Sequence, residues 1–137
     1  NIKLKEKWQD GPRTYLGLTT TGFPNFFTIT GPGSPSVLTN MIPSVEQHVE
    51  WVSECVRFMM SRGLKKIVAS SSAENGWMEH ANDLAEKSLR STCLSWYLGS
   101  NVPGKPRIFM PYIGGVPIYV EKCENVAANG YFGFEMS

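Results

Sequence analysis

The stretch Asn25-Phe26-Phe27-Thr28-Ile29-Thr30, followed by Gly31-Pro32-Gly33-Ser34-Pro35-Ser36 and then by the run from Pro43 to Arg62, decides the fold class of this chain. The first piece is short, aromatic and β-branched, with Pro24 before it and Gly31 after it, and reads as a buried strand. The second is a glycine-rich turn. The third predicts a helix: its apolar positions Val45, Val49, Val52, Val56 and Met59 lie 4, 3, 4 and 3 residues apart, on one helix face. Ser44 and Gln47 have capping-box spacing, Pro43 is a further start signal, and Gly63 is a stop. Strand, glycine turn and helix in series present unpaired backbone N–H groups and a positive dipole end, which suit an anion or a polar ring edge. As a dinucleotide fingerprint the series fails, because G-x-G-x-x-G needs glycine where Ser36 stands. Pattern by itself leaves both a ligand cradle and a plain strand-to-helix turn open.

Outward from this stretch, glycine and proline crowd residues 11–35 and 99–117, whereas 44–62 has neither and 64–98 only Gly76. Lys65–Ser70 predicts a short edge strand. A second helix is expected from Ser72 to Arg90, with Ser71 and Glu74 at capping-box spacing and Trp77, Ala81, Leu84, Ala85 and Ser88 on one face. Arg107–Tyr112 reads as another strand. A third helix spans Pro117 to about Asn129, stopped by Gly130, and Tyr131–Phe134 returns to a sheet. The expected class is α/β, with few strands and about three helices.

The 137 residues are 42% hydrophobic, enough for one domain with a real core. Thirteen basic and twelve acidic groups leave a formal charge of +1, so nothing points to nucleic acid or an anionic membrane. No apolar run approaches the ~18 residues of a membrane span. Three cysteines, Cys55, Cys93 and Cys123, are far apart and odd in number, which excludes a fully paired disulfide framework and favours a reducing, cytoplasmic setting. The chain starts at Asn1 without methionine or a signal-like stretch, so a fragment or a processed chain is expected.

Few residues carry recognisable chemistry. Ser34, Ser36, Ser70, Ser71 and Ser72 are not in a G-x-S-x-G elbow. His48 and His80 fall inside helices, where solvated or core-edge histidines are the ordinary case. Aspartate is confined to Asp10 and Asp83, and no carboxylate pair has acid/base spacing. No metal site and no catalytic residue is expected within the chain. Trp96-Tyr97, beside a Gly/Pro loop carrying Lys105 and Arg107, suits stacking on a ring and holding a phosphate; the alternative is a tryptophan that plugs the core.

Taken together, Tyr15-Leu16-Gly17-Leu18, Gly22-Phe23-Pro24-Asn25-Phe26-Phe27, Gly31–Ser36, Asn40-Met41, Ser44-Val45-Glu46-Gln47-His48-Val49-Glu50-Trp51, Ser95-Trp96-Tyr97 and Asn101-Val102-Pro103-Gly104-Lys105-Pro106-Arg107 resemble the C-terminal quarter of class B flavoprotein monooxygenases of the Baeyer–Villiger type. The resemblance runs in order over nearly the whole chain and is weakest at 64–75. It implies the C-terminal part of a Rossmann-type FAD-binding domain, in an enzyme that uses FAD, NADPH and O2 to convert ketones to esters or lactones and to oxidise sulfides. Phe23–Thr30 would then be the last strand of the FAD-domain sheet, and the following helix would aim its N-terminal end at the flavin. The pyrimidine edge of a flavin gathers negative charge on reduction, which a helix start favours. The resemblance assigns Asn40 and Met41 to FAD, the Met41 N–H to flavin O2, and Ser36, Val37, Leu38 and Met41 to the substrate pocket. It assigns Trp96, and less directly Tyr97 and Lys105, to NADP. Val37→Ala is expected to widen the ketone range, and Trp96→Ala to raise the NADPH requirement.

The family's two G-x-G-x-x-G motifs and its F-x-G-x-x-x-H-x-x-x-W motif are absent, and none of the five arginines stands in the context of the family's active-site arginine. The chain by itself is therefore not expected to be active. Its expected partners are the missing N-terminal part of the same enzyme, a ketone or sulfide substrate, or a second copy of itself. Two alternatives stay open: a non-catalytic α/β binding or assembly module derived from such an enzyme, and a fragment of an N- or S-oxidising flavin monooxygenase.

Overall fold

The computed structural model describes residues 2–36, 39–87, 103–104, 106 and 108–137. In chain order the elements are α1 (Leu4–Lys7), α2 (Met41–Ser61), β1 (Ile67–Ala69), α3 (Ser71–Glu86), α4 (Val116–Ala128) and β2 (Phe134–Met136). The architecture is α/β: a small antiparallel sheet and four helices among the described residues, consistent with a partial Rossmann-type dinucleotide-binding fold.

β1 and β2 pair antiparallel in the register Ile67↔Met136, Val68↔Glu135 and Ala69↔Phe134. Asn25 completes the free edge of β1. Its N–H donates to the Ile67 carbonyl at 2.8 Å, its Oδ1 accepts the Ile67 N–H at 3.0 Å, and its Nδ2 donates to the Lys65 carbonyl at 2.9 Å. A side-chain amide thus replaces a neighbouring strand, which leaves no raw edge at that point.

The strand expected over 25–30 does not form. Asn25 and Thr30 at its two ends are left-handed, with φ of 58° and 53°, so the chain turns where a strand would extend. Its backbone N–H groups are taken up singly: Asn25 by Ile67, Thr28 by the Leu18 carbonyl, Thr30 by the His48 ring. The strand expected over 107–112 is reduced to a single parallel bridge between Pro35 and Tyr112, with Arg107 outside the described residues.

The helices keep their expected stops. Arg62 caps α2 ahead of Gly63 (φ 67°), and Asn129 caps α4 ahead of Gly130 (φ 69°). Their starts differ. Asn40, not Ser44, caps α2, its Oδ1 accepting the Ile42 N–H at 3.0 Å. Ser70 caps α3 through the Ala73 N–H, which frees Glu74 for another task. Glu74 is buried, accepts Lys7 Nζ at 2.7 Å and the Thr21 N–H at 2.7 Å, and lies 3.6 Å from Arg13 Nε. It ties α3 to the N-terminal segment.

The buried face of α2 is not the valine line read from the sequence. Ser44, His48, Trp51, Cys55 and Met59 point inward. Trp51 decides this. Its indole N–H donates to the Cys123 carbonyl at 2.8 Å, and its ring meets Tyr131 edge-on at 5.2 Å. Burying a large aromatic ring with its one polar atom satisfied outweighs burying a valine. Around it the core gathers Tyr15, Leu16, Leu18, Trp77, Tyr112, Tyr119 and Tyr131.

Candidate functional site

The turn Gly31–Ser34 is fixed by its carbonyls. Gly31 O accepts Ser34 Oγ at 2.6 Å, Pro32 O accepts Thr14 Oγ1 at 2.7 Å, Gly33 O accepts the Trp77 indole N–H at 3.0 Å, and Ser34 O accepts the Tyr112 N–H at 2.9 Å. The Gly33 N–H donates to the Met110 carbonyl at 2.6 Å. Three separate parts of the chain therefore hold one turn. Glycine is needed for this closeness: a Cβ at Gly31 would lie 2.6 Å from the Gly17 carbonyl oxygen, and Gly33 has φ 83° with Thr14 Oγ1 2.9 Å from any added Cβ. Trp77 stacks on Tyr112 at 5.2 Å and 14°, so the two donors that grip the turn brace each other.

A second lock sits beneath it. His48 is fully buried, not solvated or at the core edge as its sequence context suggests. Its Nδ1 accepts the Thr30 N–H at 2.9 Å, so Nε2 carries the ring proton of the neutral form and donates to Tyr119 Oη at 2.9 Å. Tyr119 Oη in turn donates to the Leu16 carbonyl at 2.7 Å. Every proton in this relay has one destination. A charged imidazolium would have no acceptor for a second N–H, and burial lowers the His48 pKa to about 4.

Beyond the turn the surface opens. Ser36 is half-buried; Asn40 is exposed and Met41 is 38% exposed. Asn40 and Met41 stand together at the start of a 21-residue helix. Asn40 satisfies the Ile42 N–H, while the Met41 N–H has no partner among the described residues. One turn in, Ser44 Oγ is buried without a hydrogen-bond partner. An open helix start, whose first N–H has no partner among the described residues, fits an electron-rich carbonyl such as the pyrimidine edge of a flavin. Val37, Leu38, Trp96, Tyr97 and Lys105 lie outside the described residues.

Other chemistry is limited. Cys55 and Cys123 are buried, and burial pushes both thiols up to about 12, so neither is a nucleophile. Cys93 lies outside the described residues. No group of metal-ligating side chains occurs among the described residues, and no helix there is long and apolar enough to cross a membrane. A cavity of 1140 Å³ between α2 and α4, lined by Glu50, Glu54, Arg57, Arg62 and Tyr131 among others, contains none of the expected site residues. His48, Trp77, Tyr112 and Tyr119 were not legible as supports of the turn; the available signal was a cluster of polar-tipped aromatic residues in an otherwise apolar core.

No family model matches the chain. It is 41% identical over 98% of its length to acetone monooxygenase (methyl acetate-forming) from Gordonia sp. strain TY-5 and spans 25% of that protein. It superposes on an oxidized steroid monooxygenase bound to NADP with a TM-score of 0.90 and 47% identity, covering 98% of this chain and 24% of the other. It also superposes on the OTEMO complex with FAD and NADP, with a TM-score of 0.89 and 34% identity, covering 100% of this chain and 25% of the other. The chain thus spans about a quarter of the length of the curated relatives it matches. The quoted segments had suggested phenylacetone monooxygenase in particular; these likenesses support the superfamily and no single member. By likeness of sequence and of fold over nearly its whole length, the chain belongs to the superfamily of Baeyer–Villiger and related class B flavin monooxygenases.

Proposed function

We propose that the chain is the C-terminal part of the FAD-binding domain of an NADPH-dependent monooxygenase that inserts one oxygen of O2 beside a ketone carbonyl, giving an ester or lactone, and that also oxidises sulfides. The observation that carries this is the Met41 N–H, without a partner among the described residues, at the exposed start of α2. FAD would supply the redox chemistry and the activation of O2, and NADPH the electrons. The chain's own part is electrostatic. The α2 N-terminus and the Met41 N–H favour negative charge on the flavin carbonyl edge, and the Asn40 cap holds the helix start that presents this donor. Ser36, Val37, Leu38 and the Met41 side chain would border the ketone. Trp96, Tyr97 and Lys105 would meet NADP.

Met41→Pro tests the reading cleanly. Met41 is the first helical residue, where proline is tolerated and only the N–H is lost, and Asn40 already has the extended ψ of 129° that a following proline requires. In the full-length flavoprotein the variant is expected to lower the flavin potential by roughly 40 mV, the equivalent of about 2 kcal/mol in a two-electron couple, while Met41→Ala leaves it near the parent value. Identical potentials in all three proteins overturn the contact.

A further inference from the structure

α2 is apolar on two adjacent faces, and the described residues cover one of them. Beside the inward line runs a second, Ile42, Val45, Val49, Val56 and Met60, at helical spacing around the half-buried Val52 and 38% to 74% exposed. At 1.5 Å per residue this line is roughly 27 Å long. No charge interrupts it: Glu46 and Arg57 border the line on its outer side, and Glu50 and Glu54 lie further round the helix. Scattered exposed apolar residues are ordinary, but a continuous line is not. Valine is also a weaker helix former than alanine, so solvent-facing valines weaken α2 unless something packs on them.

We propose that this stripe is the face on which the segment docks against the remaining polypeptide of a full-length monooxygenase, which rests on the function proposed above. The occupant follows from length and area. The chain spans about a quarter of its relatives, so most of such a protein is available to cover the stripe. The stripe itself exposes roughly 450 Å², about half of the ~800 Å² per partner in a standard interface between separate molecules. A contact that small suffices within one polypeptide, where no association entropy is lost.

The test is cysteine labelling in the full-length polypeptide carrying these residues, with Cys93→Ser as background. Val49→Cys and Val56→Cys are compared with Glu54→Cys on the charged face, using a maleimide under native conditions. The stripe positions are expected to label about a hundredfold more slowly than position 54, and to stay protected in the diluted monomer. Equal labelling at all three positions overturns the docking face, and protection lost on dilution to monomer assigns the stripe to a second copy and overturns the occupant. The flavin reading fails separately: protected positions in a protein that binds no FAD uphold docking and reject the flavin site, whereas free labelling in an FAD-loaded protein does the reverse.

Discussion

The inner and outer faces of α2 invert the usual expectation. The inner face carries a serine, a histidine and a cysteine beside Trp51 and Met59, and is sealed; the outer face is entirely apolar and open. The difference shows that the hydrophobicity of a face does not by itself choose which one this chain buries. Partners choose. The inner face has Cys123, Tyr119 and Thr30 waiting with hydrogen bonds for Trp51 and His48. The outer face has no such partners: among the described residues only Val52 on it packs against the core, and Ile42, Val45, Val49, Val56 and Met60 stay exposed.

That contrast can be broken, first, at Trp51. Trp51→Ala removes the central ring of the inner face and its hydrogen bond to the Cys123 carbonyl, and is expected to cost about 3–5 kcal/mol in equilibrium unfolding. A loss below 1 kcal/mol would mean that the inner face does not hold α2 in place.

Acid attacks the same face through His48. Its folded pKa of about 4 lies below the ordinary 6.5, so between these values the unfolded chain takes up a proton that the folded chain refuses. Stability is fully present above pH 6.5, falls as pH drops towards 4, and levels off below; the total is roughly 3 kcal/mol. Denaturation midpoints at pH 7 and 4.5 measure it, and His48→Asn is expected to flatten most of the difference. His80, whose pKa burial also lowers, adds in the same direction.

Trp77→Phe keeps the stack on Tyr112 but deletes the donor to Gly33. It is expected to cost about 1–2 kcal/mol and to speed hydrogen exchange at the Gly33 and Ser34 amides. Exchange unchanged there would remove Trp77 from the clamp. The smallest effect belongs to the outer face: Val56→Ser is expected to shift the chain's own stability by less than about 0.5 kcal/mol, because no described residue packs over it. A large loss would show that the stripe is already covered within these residues.

How far the sequence could be read varied with the kind of signal. The stops of α2 and α4 follow from local chemistry, Gly63 and Gly130 past their C-termini, whereas the starts do not: the caps are Asn40 and Ser70, where capping-box spacing points to Ser44 and Ser71, and the expected extension of α3 to Arg90 runs outside the described residues. Asn40 and Met41 came from a resemblance; the structure sets them at an exposed helix start. The strand over 25–30 was misread because Asn25 and Thr30 adopt left-handed backbone that an aromatic, β-branched run does not announce. His48 was misread because a histidine becomes buried only when two partners from distant elements satisfy both ring nitrogens.

By itself, then, the sequence determined the α/β class, the three long helices, the stops of α2 and α4, the glycine turn and the superfamily, all of which rest on residues near one another in the chain or on ordered motifs. Tertiary structure alone decided which face of α2 is buried, which carbonyls of the turn are held, and that Glu74 serves an ion pair and not a cap. Those outcomes depend on pairings such as Trp77 with Gly33 and Tyr119 with His48, where donors and acceptors far apart in sequence must find each other before burial becomes favourable.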